Sequence, residues 1–179
     1  MKIVSLQLAR WAESLSLTFF VIYIHSQTLP AGEAWLLPYL LACIIGVAVS
    51  VLLVCQHMVL NRLFLGINLY FLSGVLALAL QIQQLNQLYA QLGAAAMLTW
   101  ILLVGIAATL IAPVGVLGIP EARSRIHSWY LLVACVFAIL WAIYFKTNTA
   151  LGEWLPFIVI FTLRNYLCAA ATKYTDLNP

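Results

Sequence analysis

Six mostly apolar stretches, each near the length of a membrane-crossing helix, occupy most of this chain: 7–25, 35–55, 64–82, 94–118, 127–145 and 154–172. About 20 such residues span a hydrocarbon core roughly 30 Å thick. Stretches of this length and composition therefore read as membrane-crossing helices. Composition removes the alternative of a large soluble core. The chain is 65% hydrophobic and 7% charged, whereas soluble domains carry roughly 25% charged residues. The predicted fold class is therefore an all-α integral membrane protein, a six-transmembrane-helix bundle forming one domain over residues 1–179. Its bulk partner is the lipid bilayer.

The first stretch is the weakest, because Arg10 and Glu13 interrupt its beginning. A signal peptide is the rival reading, with Lys2 and Arg10 as its basic region and Ala31–Ala34 as a loose cleavage site. The long gap to that site and the acidic Glu13 argue for a retained helix. Basic residues set the orientation, since cytoplasmic loops carry them. With six spans and both termini inside, Lys2, Arg10, Arg62, Arg123, Arg125 and Lys173 are cytoplasmic, and only Lys146 is external. The expected location is a bacterial-type inner membrane. Trp35, Tyr39, Tyr144 and Trp154 fall at the outer border, Trp11 and Trp129 near the inner one, the depths that amphipathic rings prefer.

Proline positions refine the helices. Pro38 and Pro156 sit in first turns, where a missing N–H leaves no bond unmade. Pro113 lies inside the fourth stretch and is expected to kink it, with Gly105, Ala108, Thr109, Ala112 and Gly115 allowing a neighbour to approach closely. Two outer turns also resemble each other. Residues 22–39 and 143–157 share, in order, Ile-Tyr, a Gln/Asn-Thr pair, Gly-Glu, Trp-Leu and Pro-aromatic. The similarity suggests a parallel repeat of hairpins 1–2 and 5–6.

Arg164 is the most unusual residue, standing with Asn165 inside the last apolar stretch. A charge near mid-membrane costs roughly 2.5–3.5 kcal/mol and usually faces the bundle interior with a partner. Glu13 is the only acidic residue inside a predicted span, so the pair Arg164–Glu13 is one expectation. An anion site built from Arg164 and Asn165 is the other. Asn68, with Ser14, Ser16, Thr18, Ser50 and Ser73, supplies milder polarity within the spans. Asn68 is suited to hydrogen bonding between helices. In Gln81–Leu92, Ile82, Leu85, Leu88 and Leu92 share one helical face while Gln84, Gln87 and Gln91 fall on another. That stretch reads as an amphipathic extension of span three at the interface, or as a neutral vestibule for a solute.

Several functions find no support. His25, His57 and His127 lie at span borders, not inside a shared cavity, so neither haem nor a metal is expected. Cys43, Cys55, Cys135 and Cys168 form no metal-type pairs and read as small packing residues. Scattered basic residues offer no nucleic-acid surface. No nucleophile–base or paired-carboxylate arrangement appears in the spans, so an enzyme is not expected and no cofactor is implied. No motif singles out a family. Two functions remain. One is a small-solute transporter or permeation subunit with Arg164 facing an internal cavity that takes a small polar or anionic solute. The other is an assembly or stabilising subunit, partnered by another membrane protein or by itself, with Arg164–Glu13 as a clamp. The balance favours transport slightly, because a charged residue in a span is read first as a functional site.

Overall fold

A computed structural model describes residues 14–23, 35–56, 60–112, 114–119 and 124–177, with side chains described to Thr172. Among these residues the protein is all-helical, with no strand. Seven α-helices follow in order: α1 (Ser14–Tyr23), α2 (Leu36–Cys55), α3 (Arg62–Ala79), α4 (Gln83–Leu92), α5 (Ala94–Ile111), α6 (Ser124–Tyr144) and α7 (Leu155–Leu177). A π-helical turn, Thr149–Trp154, leads into α7. Five of these segments are long and apolar enough to cross a membrane: α2, α3, α5, α6, and the π-turn with α7. The chain divides into two compact units, Met1–Ala90 and Gln91–Pro179.

The burial pattern reverses that of a water-soluble helix. On α2 the buried face carries Tyr39, Ala42, Cys43 and Gly46, while Ile44, Val47, Val51, Leu52 and Val54 are exposed. On α6, Ser128, Cys135, Ala138 and Ala142 are buried, and Val133, Phe137 and Leu140 point outward. Small residues let backbones approach, and large aliphatic side chains turned outward need an apolar solvent. Only 22–39% of the most apolar window of each long span is buried, a pattern consistent with a helical membrane protein.

Within the first unit, α2 packs along α3. Asn61 caps α3, its Oδ1 accepting from the Leu63 amide at 3.1 Å. The far end closes with a Schellman motif: Ile82 N–H donates to the Ala77 carbonyl (2.9 Å) and Gln81 N–H to that of Leu78 (3.2 Å). Gln81 takes the left-handed conformation, φ 52°, usually left to glycine. Span three therefore ends at Ala79 instead of 82, and Gln83–Leu92 is a separate helix instead of a continuation.

In the second unit, α6 packs against both α5 and α7. The span expected to reach 118 closes at Ile111. Ala112, preceding Pro113, is extended (φ −100°, ψ 135°), the conformation that a following proline imposes. Pro113, the expected kink, is itself outside the described residues, and 114–118 form turns. Before α7, Asn148 Oδ1 accepts from Leu151 N–H (3.1 Å), and the Trp141 indole donates to the Leu151 carbonyl (3.1 Å). The corresponding outer turn of the suggested repeat, residues 24–34, lies outside the described residues.

Candidate functional site

The first polar site is centred on Asn68, in the first half of α3. Its Oδ1 accepts from Ser16 Oγ of α1 at 3.2 Å. Its Nδ2 donates to Ser50 Oγ (3.2 Å) and to the Gly46 carbonyl (3.4 Å), both on α2. Ser50 Oγ in turn donates to Gly46 O at 2.7 Å. Three helices thus meet on one amide that uses both its donor and its acceptor side. The Gly46/Ser50 spacing makes this approach physically feasible: a Cβ on residue 46 would overlap the Asn68 amide. Beside it, a cleft lined by Val49, Ser50, Leu53, Asn61, Phe64 and Asn68 has a volume of about 10 Å³, about what a single water molecule needs. It is too small for a solute.

Above this network α1, α2, α3 and α4 share an aromatic cluster. Phe20 lies 4.8 Å from Phe71 and 5.1 Å from Tyr39, centroid to centroid. The hydroxyls of Tyr39 and Tyr70 hydrogen-bond to each other. Tyr70 stacks 5.2 Å from Tyr89 of α4, whose hydroxyl bonds Ser73 Oγ at 2.6 Å. Tyr39 is therefore a buried core residue, although its sequence position reads as an interfacial ring.

In the second unit, hydroxyls hold a buried loop. Thr109, Ser124 and Ser128 are fully buried. Val116 N–H donates to Thr109 Oγ1 (3.2 Å) and Leu117 N–H to Ser128 Oγ (3.4 Å), while Ser124 Oγ donates to the Val114 carbonyl (2.7 Å). Gly115 has φ 58°, and a Cβ there would strike Ser128 Oγ. Gly105 lets Leu132 of α6 and Val116 come close, the contact its small size anticipates.

Arg164 lies on α7, in the second unit. The buried residues Pro156, Ile160, Leu167 and Ala171 define one stripe of α7, and Arg164, four residues after Ile160, falls on it. It lies about 15 Å along the helix from Trp154. Its Nε is buried without a hydrogen-bond partner among the described residues. Among the described residues its Nη1 donates to the adjacent Asn165 Oδ1, at 3.5 Å. Glu13, the expected counter-charge, is outside the described residues, as are His25 and His57.

Sequence reasoning thus locates Ser16, Ser50 and Asn68, which come together, and Arg164 with Asn165, which adjoin. It misses the roles of Tyr70, Tyr89, Ser124 and Ser128. The spacing of Ser124 and Ser128, four apart at the start of a helix, was the available signal for the last two. Compared with known protein families, curated proteins and solved structures, the chain finds no match in any of the three.

Proposed function

We propose that the protein is a non-enzymatic permeation or carrier subunit of a bacterial-type inner membrane, taking a small anionic solute at Arg164. The state of this guanidinium carries the reading: it lies on the packed stripe of a membrane-crossing helix, with its Nε buried and unpartnered among the described residues. A carboxylate or phosphate matches the planar donor fork of arginine and supplies the missing charge. Asn165 extends the donor set. The asymmetry of basic residues supports six spans with both termini in the cytoplasm, Ser14–Tyr23 being the described part of the first. The similarity of the two outer turns supports a duplicated hairpin.

One observation favours an assembly or stabilising role instead. The buried Ser16, Thr109, Ser124 and Ser128 and the half-buried Asn68 are all spent on internal hydrogen bonds, so polarity in these spans serves as glue. In that role Arg164 clamps Glu13, or an acidic residue of another membrane protein or a second copy.

Purified protein, titrated with carboxylates, phosphates and neutral polar solutes while its thermal unfolding is followed, separates the two. The solute reading expects an anion to stabilise the parent, by about 2.7 kcal/mol at a concentration a hundredfold above Kd, and to leave Arg164→Ala unmoved. Absence of any ligand shift, together with stoichiometric co-purification of a second membrane protein, would establish the assembly role.

A further inference from the structure

The ten-residue helix α4 buries none of its residues, yet it is fastened at one edge. Asn86 Nδ2 donates to the Ala77 carbonyl at 3.2 Å, and Tyr89 reaches Ser73 and Tyr70 on α3. At 100° per residue, Asn86 and Tyr89 form this docked edge, while Leu85 and Leu88 form a second edge roughly a quarter-turn away. Gln84, Gln87 and Gln91 occupy a third. Leu88 remains 45% exposed and Ile82, just before the helix, 42%.

Connectivity places the helix itself. Helix α4 joins the end of one membrane-crossing helix, α3, to the start of another, α5, and is too short to cross itself. It therefore sits at a membrane boundary. Leu72, Leu76 and Leu80 of the α3 segment are exposed, as are Ile82 and Leu88, so apolar side chains are available for lipid on both sides of the turn at Gln81. No residue from 63 to 120 carries a charge.

We propose that α4 is a lipid-seated strap: its Leu85/Leu88 edge inserts at the headgroup–acyl boundary of a bilayer regardless of lipid charge, while Asn86 and Tyr89 lock its other edge to α3. Interfacial helices that lie on membranes usually add basic residues to attract anionic lipids. This one has none, so insertion rests on apolar contact alone. The proposal depends on membrane placement and not on any ligand at Arg164.

Hydrogen exchange of the full chain in nanodiscs tests it, comparing phosphatidylcholine discs with discs containing phosphatidylglycerol in equal part. Amides of α4 should be equally protected in both. Leu88→Gln should speed their exchange at least about tenfold, the effect of losing roughly one buried leucine, while α3 and α5 keep theirs. Leu88→Met should retain parent protection. Protection that requires the anionic lipid, or that survives Leu88→Gln unchanged, overturns the proposal.

Discussion

In residues Met1–Ala90 the polar side chains between helices reach from helix to helix, as the half-buried Asn68 does to Ser16 and Ser50. In Gln91–Pro179 they reach from helix to loop backbone, as Thr109 and Ser128 do to Val116 and Leu117. The difference follows from what each unit must satisfy. Helices α1 to α3 already close their own backbone bonds, so a polar side chain between them is free to select which helices meet and in what register. After Ile111 the chain leaves the helix yet stays buried at Val116 and Leu117, and without water its amides need side-chain partners. Hydrogen bonds between helices are dispensable glue; those to an unwound backbone replace bonds that nothing else supplies.

The comparison predicts that the loop is the more fragile of the two. Gly115→Ala places a Cβ at φ 58° and against Ser128 Oγ. The left-handed backbone costs about 1–3 kcal/mol and the overlap about 1–3 kcal/mol more. Thermal unfolding in detergent should show the variant roughly 3 kcal/mol less stable, with faster exchange confined at first to 114–119. Parent-like stability for Gly115→Ala would mean that the hydroxyls of Thr109 and Ser128 do not hold this loop.

How much of this was legible in the sequence depends on contrast. Asn68 and Arg164 stand out because their neighbours are apolar, and Gly46 and Ser50 because their spacing leaves room on one face. The hydroxyls of Ser124 and Ser128 sit near a span border, where serine is unremarkable, so their burial was invisible. Tyr39 and Tyr70 were obscured because tyrosine suits both an interface and a core, and the choice rests on long-range packing against Phe20 and Phe71. The end of α3 was misplaced by three residues because Gln81, not glycine, takes the left-handed position. Propensity gives no warning of such a turn.

A smaller effect is expected in the first unit. Removing Asn68 forfeits bonds to two helices, and interhelical hydrogen bonds in membranes average about 0.6 kcal/mol with a maximum near 1.7. Asn68→Leu should therefore lower stability by roughly 1–2 kcal/mol, less than Gly115→Ala. Ser16→Ala should be milder, and the double variant less harmful than the sum, because the two side chains share one bond. Strict additivity would show that α1 is not held by Asn68. A loss at Asn68 larger than at Gly115 would reverse the distinction between glue and backbone satisfaction.

Arg164 belongs to neither class, and the smallest stability effect is expected there. Among the described residues its hydrogen bond goes to the neighbouring Asn165. If an anionic solute is its natural partner, ligand-free Arg164→Ala loses nothing that the folded protein uses. Its unfolding should lie within about 0.5 kcal/mol of the parent, or above it, since a buried guanidinium nitrogen without a partner is itself a burden. The clamp with Glu13 demands the opposite. Removing either member of a buried ion pair strands the other and costs roughly 3–5 kcal/mol. Arg164→Ala and Glu13→Ala would then each be strongly destabilising, their double less so than the sum, and Arg164→Lys a poor substitute because lysine lacks the fork. A cycle with that coupling ends the solute reading. Two near-neutral single variants, with ligand response lost only at Arg164, leave this half-buried arginine as a polar group that the fold itself does not need.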